Sequence, residues 1–327
     1  MDHVLRTVGW FVRTPEVPKD GAKLCTIALS HYCEKARWAL DLSPLRDTYI
    51  EDAHAPVFHY RPTVALTKDR KKTGLPVLVL PGVDPEGPPT VVQDSAEILQ
   101  HLASLYPKEL GHMYPPGDMG DKVRALERKL GEQLGPATRK IVYWEMWQGR
   151  QEGIDTCNAL LERHYPTAEA RMWRLLEAKI LPVMLKAMKI DETSTLAALE
   201  ESREIFREVS ALLDSEEGGK GGGAPAGPRR YLLGANRMTA ADLTFAALAY
   251  PLINPPAFAS LGLSGAEASP WAKRLAVITK EFRATPAGQH VLRLYGEERF
   301  PETSMAGKEP TGQLCLRTSN RDKWPWQ

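Results

Sequence analysis

Four cysteines in 327 residues are too few and too scattered for a disulfide framework. Cys25, Cys33, Cys157 and Cys315 contain no C-x-x-C pair, so no zinc knuckle is readable and no metal site is assigned. Isolated thiols fit a reducing compartment. The cytoplasm is therefore the expected location, with an organelle lumen as the alternative. An excess charge of either sign is also missing. Lys and Arg number 42 and Asp and Glu 41, a formal net charge of +1, so no global field recommends nucleic acid or an anionic membrane as partner. No apolar run reaches the roughly 18 residues that a membrane-spanning helix needs. The best candidate, Ala240 to Ile253, is short, contains Asp242 and reads as a buried core helix. The first residues, MDHVLRTVGWFVRTPEVPKD, lack the apolar core and small-residue cleavage site of a signal peptide.

Hydrophobic residues at 43% and charged residues at 25% are ordinary for a globular chain with a sizeable core, and the length suits about two domains. The most informative stretch is LCTIALSHYCEKARWAL, Leu24 to Leu40. A β-rich apolar segment ends at Ser30, and two residues later an amphipathic helix begins. A side chain at that junction sits beside unpaired helix N–H groups and the positive end of the helix dipole. Such a place stabilises an anion and lowers the pKa of a thiol. Ser30 and Cys33 frame the junction as S-x-x-C, in the manner of a thioredoxin-like thiol site with serine in the first cysteine's place.

Downstream, Gly74 to Leu80 reads as a short strand entered through Pro76. Thr90 to Gln93 reads as another strand. Asp94 and Ser95 then open a helix, Ala96 to Tyr106, with Ile98, Leu99, Leu102 and Leu105 on one apolar face. With S-H-Y-C-E-K-A-R-W-A-L, L-P-V-L and Q-D-S-A-E-I-L in this order, the chain resembles the glutathione S-transferase superfamily. A fourth piece, Tyr231 to Thr244, is similar to that family's entry into a buried helix of its C-terminal domain. The resemblance runs from about Leu24 to Arg299. It implies a thioredoxin-like α/β N-terminal domain followed by an all-helical domain, and membership among the cytosolic-type, serine-dependent relatives.

The resemblance also implies roles. Ser30 would donate its hydroxyl to the sulfur of bound glutathione, although serine is also a common helix N-cap. Cys33 falls at the family's second-cysteine position, either as a redox thiol or as a small residue packing on the sheet. Pro76 would be cis, which exposes the backbone of Leu75 for pairing with the cysteinyl part of glutathione. Asp94 and Ser95 would take the γ-glutamyl ammonium and carboxylate, a role the helix N-terminus suits. Lys68, Arg70, Lys71 and Lys72 offer charge for the glycyl carboxylate, or form a solvated loop. His31 is expected to face solvent. Thr239 and Asp242 form a capping box whose role is folding. Tyr143, Trp144 and Trp147 either wall a substrate pocket or pack in the core.

The expected organisation is an extension (1–22), the glutathione-binding domain (23–106), a linker (107–118), a helical domain (119–300) and a tail (301–327). The second strand is expected near Asp47 to Ile50, followed by a long basic connection, His54 to Thr73. Helices are expected at Asp121–Gly149, Thr167–Met188, Thr193–Asp214, Thr239–Tyr250, Trp271–Ala284 and Ala287–Glu297. A Gly-rich insertion occupies 216–228. The expected function is conjugation of glutathione, as co-substrate, to a small apolar electrophile or reduction of a peroxide, in the service of detoxification. A homodimer or larger assembly is the expected quaternary state. The alternatives are a non-catalytic binding or assembly module of the same fold, and a Cys33-dependent thiol-disulfide or deglutathionylating enzyme.

Overall fold

The computed structural model describes residues 21–82, 87–149, 151–165, 167–214, 231–256 and 270–299. The insertion at 216–228, the tail, Cys315 and nearly all of the N-terminal extension lie outside them. The strands are β1 (Lys23–Thr26), β2 (Ile50–Ala53), β3 (Val77–Leu80) and β4 (Thr90–Gln93). The helices are α1 (His31–Asp41), α2 (Tyr60–Thr67), α3 (Ser95–Leu105), α4 (Pro107–Leu110), α5 (Asp118–Glu132) and α6 (Leu134–Gln148). They continue as α7 (Gln151–His164), α8 (Thr167–Ala187), α9 (Glu192–Asp214), α10 (Ala240–Ile253), α11 (Pro270–Arg283) and α12 (Pro286–Leu294). Among the described residues no helix is long and apolar enough to cross a membrane.

Two compact units emerge, and they do not follow the linear division into an N-terminal and a C-terminal part. One unit holds the described residues up to Glu109 together with Asp155–Met184. The other holds Leu110–Ile154 and the described residues from Leu185 onward. Most of α7 and α8 thus belongs with the sheet.

The first unit is thioredoxin-like. Its sheet has the order β2-β1-β3-β4, with β1 parallel to β2 and antiparallel to β3, and β3 antiparallel to β4. β3 and β4 are adjacent antiparallel strands. Cys25, Val77 and Val79 make a buried cluster on one face, against Leu66 of α2. Helices α1 and α3 pack against each other. Ser30 caps α1, and Glu34 in the first turn suits the helix dipole. α1 is less amphipathic than expected: Glu34, Lys35 and Arg37 are buried along with Ala36, Trp38 and Leu40.

Several boundaries differ from expectation for local reasons. Ser43 and Pro44 start a 3-10 turn over Pro44–Asp47, which delays β2 to Ile50. The connection after β2 contains α2, whose start lacks a side-chain cap. Leu105 is 48% exposed, so the buried face of α3 is Ile98, Leu99 and Leu102. The linker carries α4 and a 3-10 turn, with Leu110 and Met113 buried. Expected as one helix, Asp121–Gly149 is two, broken at Gln133 with φ −108° and ψ −62°. Pro136 has no N–H to continue the ladder across that point, and it is tolerated in the first turn of a new helix. α7 was not expected at all.

The second unit is helical and is organised on α10. Every residue of α10 is buried. It packs against α5, α6, α11 and α12. The capping box at its start is present, with both reciprocal bonds between Thr239 and Asp242 made. Asp242 is fully buried and accepts from Leu232 N at 2.8 Å, Thr239 N at 2.9 Å and Thr239 Oγ1 at 2.8 Å. His290 Nε2 lies 3.0 Å from Asp242 Oδ1, and Arg293 Nη2 lies 3.1 Å from His290 Nδ1. Since Arg293 can only donate, Nδ1 accepts and Nε2 carries the proton given to Asp242. Tyr143, Trp144 and Trp147 of α6 are half-buried, so they are not part of the fully buried core.

Candidate functional site

Strand pairing brings the candidate residues to one end of the sheet. Cys25 pairs with Val77, and Val77 pairs with Gln93. The chain leaving β1 toward Ser30, the chain entering β3 through Leu75 and Pro76, and the chain leaving β4 into Asp94 therefore share that end. The Leu75–Pro76 bond is cis. Asp94 N donates to Pro76 O at 3.1 Å, and Gln93 Nε2 donates to Gly74 O at 2.6 Å. These two bonds tie the turn before β3 to the start of α3.

At the first helix start, Ser30 Oγ accepts from Cys33 N at 3.4 Å. This is the N-cap role. An oxygen that accepts there still has a proton to donate, so capping and contact with a ligand sulfur are compatible. Cys33 is fully buried. Burial pushes its thiol up to about 11, against the pull of Arg37. A thiol in that state is protonated at neutral pH and is a poor nucleophile. His31 is buried, 4% exposed, and its ring lies 4.5 Å from that of Tyr32. The expectation that His31 faces solvent is therefore corrected: the first turn of α1 faces into the protein.

At the other helix start, Asp94 is exposed and holds φ +84°, a conformation costly for any residue with a Cβ. Its Oδ1 accepts from Ala96 N at 2.8 Å. Ser95 is buried. The four basic residues at 68 and 70–72 are all exposed, which is the solvated-loop arrangement.

The loop that carries Ser30 is held by residues the sequence did not single out. Arg37 Nη2 donates to Ala28 O at 2.9 Å. Its Nε and Nη2 also donate to Glu51 Oε1, at 2.8 and 2.7 Å. Thr26 Oγ1 donates to the same oxygen at 2.6 Å. Burial raises the pKa of Glu51, although the guanidinium opposes this. From the α7–α8 corner, Tyr165 Oη accepts from Ala28 N at 3.0 Å. Arg37 lies inside the quoted motif and was readable as a helix charge. Its burial against Glu51 was not.

Cys25, Asp52 and His54 are all buried, and a ligand atom from each lies within 4.8 Å of the others.

Residues 24–110 match the family model described as glutathione S-transferase, N-terminal domain. No curated protein matches the chain. Among solved structures, a glutathione transferase family member from Pseudomonas fluorescens with two glutathione bound is 15% identical, with a TM-score of 0.45 over 88% of this chain and 97% of that one. A glutathione S-transferase from Rhodospirillum rubrum is 18% identical, with a TM-score of 0.42 over 83% and 91%. Gtt2 from Saccharomyces cerevisiae is 13% identical, with a TM-score of 0.45 over 83% and 100%.

Proposed function

We propose that this chain binds glutathione on its thioredoxin-like unit and uses it as the co-substrate of a transferase. What carries the reading is the convergence at one sheet end of Ser30, the backbone of Leu75 and the Asp94–Ser95 helix start, within the segment that matches the family model. Asp94 takes the γ-glutamyl ammonium. Ser95 and the N-terminus of α3 take its carboxylate. Leu75 pairs its backbone with the cysteinyl part. The Ser30 hydroxyl donates to the sulfur and favours the thiolate, which attacks an apolar electrophile or reduces a peroxide. Because Cys33 stays protonated and buried, the chemistry is assigned to the glutathione thiol and not to a protein thiolate. A detoxifying homodimer in the cytoplasm completes the proposal.

Calorimetric titration with glutathione, followed by conjugation assays with an aromatic halide, tests it. Saturable one-site binding with turnover is expected. Binding without turnover leaves a non-catalytic module, and absence of binding removes the proposal.

A further inference from the structure

On the opposite face of β1 from Thr26, a second polar cluster has no part in the proposed glutathione chemistry. Cys25 and Asp52 are register partners across β1 and β2. His54 N donates to Thr26 O at 2.9 Å, which extends the ladder by one step past β2. Alternate strand residues share a face, so Asp52 and His54 both stand beside Cys25. The exposures of Cys25, Asp52 and His54 are 0%, 6% and 1%.

Glu169 of α8 completes the cluster. Its Oε1 lies 2.7 Å from His54 Nδ1, and its Oε2 accepts from Ala55 N at 2.8 Å. Glu169 thereby fixes Nδ1 as the protonated nitrogen and turns Nε2 toward Asp52 and Cys25. His54 Nε2 is 3.2 Å from Asp52 Oδ1 and within reach of the Cys25 thiol, while Asp52 Oδ2 makes no hydrogen bond among the described residues. Buried polar atoms left in this way are costly and uncommon.

We propose that Cys25, Asp52 and His54 form a binding site for a divalent cation of zinc type, with Glu169 orienting the histidine. A thiolate, an imidazole nitrogen and a carboxylate oxygen are a zinc-type donor set. A carboxylate on the far nitrogen of a ligating histidine is the usual outer support of such a site. The Cys25 proton is released to solvent as the metal binds. The three donors leave one position of a tetrahedron for water or a small ligand. This inference does not depend on glutathione binding.

The rival occupant is a proton. Burial opposes charge on His54, but the Glu169 carboxylate and the Asp52 contact outweigh it and hold its pKa well above the usual value. The experiment separates the two. The full chain is refolded with and without zinc, freed of loose metal, and its zinc counted by mass spectrometry. Parallel refolding with cobalt reads the ligand set by absorption. One zinc per chain is expected, with a tetrahedral cobalt spectrum and a thiolate-to-cobalt band. Cys25→Ser should abolish that band. Glu169→Gln should keep the site but weaken zinc by about 10–100-fold. No zinc retained by the wild type, or equal retention and an unchanged spectrum in Cys25→Ser, overturns the proposal. If the variants do not fold, the wild-type cobalt spectrum decides: without a thiolate band the site is an imidazolium ion pair.

Discussion

Among the aspartates at helix starts in this protein, Asp242 and Asp94 live differently. Asp242, at the start of α10, is fully buried and engaged by Leu232, Thr239 and His290. Asp94, at the start of α3, is exposed, makes one cap bond to Ala96, and sits at φ +84°. The first is saturated within its own unit. The second keeps acceptor capacity in a backbone conformation that glycine would hold more cheaply. Saturation marks a structural acid. Strain with spare capacity marks a candidate binding acid.

Removal of Asp242 should have the largest effect. Asp242→Ala orphans two backbone N–H groups, a hydroxyl and the His290 ring inside the helical unit. Stripping one partner from a buried charged network costs about 3–5 kcal/mol. That exceeds a lost surface cap, which costs about 0.5–2 kcal/mol. Urea unfolding is the measurement, and a loss below about 1 kcal/mol would end the contrast with Asp94.

The converse change is Asp94→Gly. Glycine relieves the positive φ and is itself a fair N-cap, so stability should move by less than about 1 kcal/mol. Glutathione affinity should nevertheless fall by about 1.5–3 kcal/mol, roughly 10- to 100-fold, because a charge-assisted bond is gone. Ser95→Ala should do the same from the carboxylate side. Unchanged affinity in both folded variants removes this helix start from the site.

Ser30→Ala addresses the sulfur. The thiolate of bound glutathione absorbs in the ultraviolet, so its pKa can be titrated directly. Loss of one donor at about 1.5–3 kcal/mol corresponds to a rise of roughly one to two pKa units. The sign is fixed, since the hydroxyl stabilises the charged form. A bound-thiol pKa that stays put would make Ser30 a cap only.

The capping box at Thr239 and the helix start at Asp94 were legible because their signals are local: a few residues in fixed spacing decide them. α2 and α7 were not. α2 has no capping side chain, and its third residue is a proline. α7 is polar over much of its length, with apolar residues only at Ile154, Cys157 and Ala159 to Leu161. The buried clusters were hidden for another reason. Arg37 meets Glu51, and Cys25 meets Asp52, only once β1 and β2 pair in register. With β2 expected near Asp47 to Ile50, three residues too early, neither acid fell within the expected strand. Glu169 lies 115 residues from His54, beyond the reach of any local pattern.

The smallest expected effect is at Cys33. Burial holds its thiol near 11, so at pH 7.5 only a minute fraction is thiolate. Cys157 is only half-buried, but burial and Glu177 raise its thiol to about 12, so its thiolate fraction is also minute. In the folded protein neither should be alkylated at that pH, and both should react once urea unfolds the chain. Mass spectrometry of the peptides reads each site separately. Cys33→Ser should leave conjugation within about twofold of wild type. The pH dependence of folding supplies an independent check. A thiol whose folded pKa lies above its unfolded value contributes stability below the unfolded value, near 9, and loses it as pH rises toward 11. Stability that falls over that alkaline window, and falls less in Cys33→Ser, locates the buried thiol. Rapid alkylation of Cys33 at neutral pH in the folded chain would instead make it an accessible thiolate. The start of α1 would then carry the nucleophile itself, with the start of α3 still the anchor.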